Sequence, residues 1–228
     1  MKKTFLTAFG IILFATIVNG QDHKFSIGLV GSPDMYSYGN LPTMDNNTKI
    51  NFSTGIRLEY YFTEKLSLKY GILYSTKSYC YNWKFTGEMP NDPVLPKQSN
   101  LLATYIDHPL LLSYTLIKKN KLSLYTSVGV VTDYFIKVKN TYSVLNNGTE
   151  MIDTDIEEYL KTKMNTFLIS SMMDLGAKYD LNPNISLSLE PYFKYYFSKV
   201  DNDEPKSKPI SYGAVIGIHY NFIPKVKN

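Results

Sequence analysis

The chain has a single cysteine, Cys80, so a disulfide within one chain is excluded and stability must come from pairing and burial. After the first twenty residues no run of roughly eighteen apolar residues occurs, which excludes a spanning helix in the remainder. Arg57 is the sole arginine, and the lysines behind the net charge of +4 are scattered without a basic run or an aromatic-interleaved patch. Nucleic acid is therefore not an expected partner. His23, His108 and His219 are the only histidines, and no histidine pair, cysteine pair or calcium-loop spacing accompanies them. No metal site and no cofactor is expected.

What is present begins with a secretory signal. Lys2 and Lys3 precede an apolar run from Phe5 to Val18, and Val18 and Gly20 are small enough for a signal peptidase site. Residues 1–20 are read as a signal peptide cleaved near Gly20, with a signal-anchor helix as the alternative. Residues 21–228 are read as one domain.

The 20 Tyr and 12 Phe stand among many Ile, Val, Thr and Ser, which suit a pleated surface. Period-two reading gives eight segments, at about 23–31, 50–62, 66–80, 100–117, 121–138, 163–180, 185–198 and 209–222. In the second, Ile50, Phe52, Thr54, Ile56, Leu58, Tyr60 and Phe62 oppose Asn51, Ser53, Gly55, Arg57, Glu59 and Tyr61. Met151 to Met164 reads either as a short helix or as part of a loop. Short connections (Thr63-Glu64-Lys65, Lys118-Lys119-Asn120, Leu181 to Asn184) alternate with long polar ones at about 32–49, 81–99, 139–162 and 199–208. That alternation predicts an all-β, eight-stranded antiparallel up-and-down transmembrane β-barrel, with both termini periplasmic.

Alternation alone does not say which face meets lipid. A soluble barrel would fill its interior with the apolar set. Here the polar set carries Gly55, Gly71, Gly129, Gly176, Gly213 and Gly217, which suit a crowded interior. Its charges also balance: Arg57, Lys69, Lys178 and Lys194 against Glu59, Asp107, Asp174 and Glu190. An isolated interior charge costs several kcal/mol, so an ion-pair network centred on Arg57 is expected. Aromatic belts are expected from Tyr60, Phe62, Tyr179, Tyr220 and Phe222 at one interface and from Tyr79, Tyr81, Trp83, Tyr134, Tyr195 and Tyr196 at the other.

Tyr105-Ile-Asp-His-Pro-Leu-Leu-Leu-Ser-Tyr114, Leu124-Tyr125 before Gly129, Leu187-Glu190-Pro191-Tyr192 and the closing Tyr220-Asn221-Phe222 carry a resemblance. With them the chain resembles the small outer-membrane β-barrels of Bacteroidetes-type bacteria, the porin-like or PorT-like barrels of OmpA/OmpX size. The resemblance implies that Tyr220 and Phe222 form the C-terminal signal read by the barrel-assembly machinery. Two departures are His108, where the family usually has an aliphatic residue, and the tail Ile223 to Asn228 beyond the terminal aromatic.

Catalysis would need a histidine base beside a nucleophile and an orienting acid. His108 is expected to face outward while Asp107 and Ser113 face inward, so no catalytic residue is assigned. Asp201 to Glu204 reads as a solvated loop rather than a calcium site, and the sequons at Asn46 and Asn147 carry no expected meaning in a bacterial envelope. Eight strands leave an interior just wide enough for side chains, so Tyr61, Tyr125 and Tyr192 with the paired charges are expected to plug it.

The expected function is a non-enzymatic outer-membrane barrel presenting extracellular loops for binding or envelope structure. The alternatives are a PorT-like component of a secretion or assembly apparatus and, third, a lipid-modifying enzyme. Expected partners are outer-membrane lipid, the assembly machinery during biogenesis, and an extracellular ligand or secretion partner.

Overall fold

A computed structural model describes residues 25–37, 44–83, 96–144, 150–152, 158, 161–162, 164–199 and 209–222. The signal segment, His23, the tail beyond Phe222 and the Asp201 to Glu204 stretch lie outside the described residues.

The strands are β1 (Phe25–Ser37), β2 (Met44–Tyr61), β3 (Leu66–Trp83), β4 (Pro96–Lys119), β5 (Leu122–Val144), β6 (Glu150–Ile152), β7 (Phe167–Asp180), β8 (Ile185–Tyr196) and β9 (Ile210–Phe222). Neighbours in sequence pair antiparallel, and β1 closes against β9 from Phe25↔Phe222 to Ser37↔Ile210. The wall is a closed, eight-stranded, all-antiparallel up-and-down barrel, because β6 adds only a short flap to the far end of β5 at Thr141↔Ile152. Closure leaves no open edge along the wall, the condition for strands in hydrocarbon.

Local chemistry makes the three tight turns at one end. Thr63 Oγ1 accepts from the backbone N–H of Lys65 and Leu66 at 3.2 and 3.0 Å. Asn182 Oδ1 does the same for Asn184 and Ile185, both at 2.9 Å. Asn120 takes the left-handed conformation, with φ 50°, that the β4–β5 reversal needs and that asparagine tolerates. We call this the turn end and the opposite one the loop end.

Strands β1 to β5 run further toward the loop end than alternation suggests, whereas β8 ends at Tyr196 rather than 198 and β9 starts at Ile210 rather than 209. β1 continues through Ser37 instead of stopping near residue 31, β2 starts at Met44, β3 reaches Trp83, β4 starts at Pro96 and β5 reaches Val144. Asn, Asp and Pro there read as loop, but pairs such as Tyr36↔Lys49 and Leu101↔Asn140 satisfy the backbone and override local preference. β7 begins only at Phe167; of the 151–164 stretch, Met151 and Ile152 belong to β6, 158 and 161–162 are helical, and 153–157, 159–160 and 163 lie outside the described residues.

The apolar set points out: Leu29, Phe52, Val128 and Leu175 are each at least 60% exposed. In water such a belt would be an association surface, whereas in lipid it is the expected coat. Tyr179, Tyr195, Tyr220, Phe62 and Phe222 stand near the strand ends on this outer face, and Tyr134, midway along β5, is level with the start of β7 at Phe167. Tyr196 does not. It is only 1% exposed and meets Tyr36 edge-to-face inside the barrel at 5.6 Å, because its parity is that of Glu190 and Lys194. For Tyr79, Tyr81 and Trp83 only the backbone is described.

Candidate functional site: a layered lumen

Small inward residues let large ones reach across the barrel. A Cβ on Gly176 would stand 2.3 Å from the Tyr125 ring, so that ring packs directly against the Gly176 backbone of β7. A Cβ on Gly28 or Gly217 would fall 2.3 or 2.6 Å from the His219 imidazole, so the two glycines form the slot that holds it.

A cavity of about 530 Å³ opens at the turn end, lined by Glu59, Tyr61, Ser113, Lys178, Asp180 and Phe222 among others. Glu59 accepts from Tyr61 Oη at 2.6 Å, Ser67 Oγ at 2.8 Å and Lys178 Nζ at 3.1 Å.

Above this vestibule lies the first charged layer. Arg57, 2% exposed, donates through Nη1 to both oxygens of Glu190 at 2.7 Å. Lys69 donates to Glu190 at 3.2 Å and to Ser127 Oγ at 3.0 Å, and its ammonium stands 4.0 Å over the Tyr125 ring. A buried apolar layer follows, from Val30, Leu73, Leu111, Val131, Met172 and Val215.

The second charged layer centres on Asp107. It accepts from Ser75 Oγ at 2.6 Å, Lys77 at 3.1 Å and Lys194 at 3.2 Å, while Lys77 also pairs with Asp133 at 3.1 Å. Tyr192 donates to Asp34 at 3.1 Å beside it. Tyr36, Leu101, Tyr105, Phe135, Leu168 and Tyr196 then close the loop end.

The bridges run across the lumen. Arg57 and Glu59 sit on β2 but meet Glu190 on β8 and Lys178 on β7, and Lys194 on β8 meets Asp107 on β4. Of the eight residues expected in the network, Arg57, Lys69 and Glu190 form one group, Glu59 and Lys178 a second, and Asp107 and Lys194 a third. Asp174 lies buried and inward, and no ion pair among the described residues reaches it. Lys77, Asp133 and Asp34 were not foreseen. For the first two the signal was there: Lys77 shares the parity of Lys69, and Asp133 that of Tyr125 and Ser127.

The remaining histidines support no assigned chemistry. His108 faces outward and its Nδ1 meets Tyr70 Oη at 3.0 Å. His219 Nε2 meets Ser188 Oγ at 2.9 Å, but its Nδ1 has no hydrogen-bond partner among the described residues and the pair is buried.

The outer membrane protein beta-barrel domain family matches residues 19–227. The chain belongs to that family. The barrel is accordingly a protein of the bacterial outer membrane. Among solved structures it is similar to Neisserial surface protein A, with 14% identity, TM-score 0.49, and 87% of this chain and 97% of that chain covered. It is also similar to OprG of Pseudomonas aeruginosa, with 12% identity, TM-score 0.46, and 89% and 96% covered. Ail of Yersinia pestis, in complex with the heparin analogue sucrose octasulfate, gives 14% identity, TM-score 0.40, and 88% and 99% covered. No curated protein sequence matches the chain.

Proposed function

We propose that the protein is a non-enzymatic, closed barrel that holds its loop-end rim at the cell surface for binding or envelope structure. Residues 1–20 serve as its export signal, and both termini lie in the periplasm, as the short turns at their end require. The single observation behind this reading is the cross-lumen network in which Arg57 and Lys69 share Glu190 beneath a buried apolar layer. A lumen filled that way cannot serve as an open diffusion path, so the outer face and the rim are what remain for function.

The test has two parts. Purified barrel in planar lipid bilayers should give no steady open-pore conductance, and long-lived conducting levels in the wild type would refute the closed reading. A tag placed within residues 84–95 should be reached by antibody on intact cells, whereas a tag after Asn228 should require permeabilisation. Stable recovery of a multi-protein secretion complex from a detergent extract would replace this reading by the PorT-like one.

A further inference from the structure

We infer that the outer flank of β5, with the chain just beyond β8, binds the phosphates of an anionic glycolipid in the outer leaflet of the membrane. This rests on the loop end facing outward, as proposed above.

Parity places the odd residues of β5 in the lumen from Tyr125 to Phe135. Continued unbroken, it would drive Lys137 and Lys139 into the cap formed by Tyr36, Leu101, Tyr105 and Phe135. The register instead slips, with Tyr105 opposite Phe135 and Thr104 opposite Lys137, so Ile136 is the extra residue of a bulge. After it Val138 and Asn140 point inward, and Lys137 and Lys139 are exposed on the outer flank. A bulge of this kind re-aims side chains, and here it moves two cations from the lumen to the lipid-facing side.

The height of these cations suits headgroups. Tyr134 and Phe167, ring centroids 5.1 Å apart, and Tyr195 and Phe197, 5.7 Å apart, form an aromatic girdle across the adjacent strands β5, β7 and β8. Such rings mark the hydrocarbon boundary. Lys137 lies two ladder positions beyond Tyr134, opposite Thr104 where Tyr134 is opposite Ile106, which at ~3.3 Å per residue and a tilt of ~40° puts it roughly 5 Å higher, at the border of the headgroup zone. Lys199 stands exposed past Phe197, its carbonyl accepting from Asn165 Nδ2 at 3.2 Å just before β7. Leu102, opposite Lys139 and 38% exposed, offers acyl chain contact beside the ammonium. Among the described residues no ion pair engages Lys137, Lys139 or Lys199, and Glu158 and Lys161, in the segment entering β7, are both exposed.

The test titrates the full barrel, in neutral detergent, with diphosphorylated lipid A and reads bound lipid by native mass spectrometry. Lys137→Ala/Lys139→Ala/Lys199→Ala should bind roughly 100-fold more weakly, from the usual contribution of a lysine near an anionic surface. Lys118→Ala/Lys119→Ala/Lys121→Ala, which removes the same charge at the turn end, should bind like wild type. Dephosphorylated lipid should bind weakly to all three proteins. Equal binding by the two triple variants, or equal binding of both lipids, would overturn the proposal. Heat-dependent gel mobility verifies that each variant is folded. Because micelles have no sidedness, the titration stands apart from the cell-surface tag experiment: binding with a failed tag result would leave the phosphate site intact and remove only its assignment to the outer leaflet.

Discussion

The two halves of the lumen handle buried polarity differently. Toward the turn end, Glu59 and Lys178 line an open vestibule where water can reach them, and hydroxyls of Tyr61 and Ser67 share the load. Toward the loop end, Asp107, Lys77, Lys194 and Asp133 sit between an apolar layer and an aromatic cap. Arg57, Lys69 and Glu190 lie between these environments. The same residue types thus occupy the wall of an open vestibule and a sealed interior, and the worth of each pair should follow its access to water.

The largest break in that gradient should come from Arg57→Ala. It leaves Glu190 with Lys69 as its one ion-pair partner among the described residues, and we expect a loss of about 3–5 kcal/mol in urea unfolding followed in detergent micelles. Unchanged stability would mean that the charged layer does not hold the barrel together. Tyr196→Ala should cost about 3 kcal/mol by opening the loop-end cap against Tyr36, and should raise amide exchange in β1 and β8 at that end first. Gly28→Ala should cost about 1–3 kcal/mol, since the new methyl group displaces His219 from its slot, a change that the imidazole carbon resonances would report. The smallest effect belongs to the vestibule. Lys178→Ala should cost about 1 kcal/mol or less, because water and two hydroxyls still solvate Glu59. A Lys178 loss as large as that of Arg57 would erase the distinction between the vestibule and the charged layer above it.

Much of the wall was legible. Strands such as 66–80 and 185–198 were foreseen within a few residues at the turn end, because Thr63, Asn120 and Asn182 announce their turns by side-chain chemistry. The loop-end boundaries were not, since no local signal says that Pro33, Asp34 and Tyr36 will find partners at Phe52, Gly213 and Lys49. Tyr196 was placed in the outer belt although its neighbours Glu190, Tyr192 and Lys194 gave it the opposite face. Lys137 illustrates the deeper limit: parity assigns it to the lumen, and only the bulge opposite Thr104 reverses that.

By itself the sequence determined the alternation, and with it which side chains share a face within each unbroken stretch of strand, because a pleated strand fixes that within two residues. Which acid meets which base was decided only by closure. Arg57 and Glu190 are 133 positions apart, and they touch because pairing β1 with β9 curls the sheet until β2 faces β8. Nothing along the chain encodes a distance across a lumen; that distance exists only once eight strands have closed their ring.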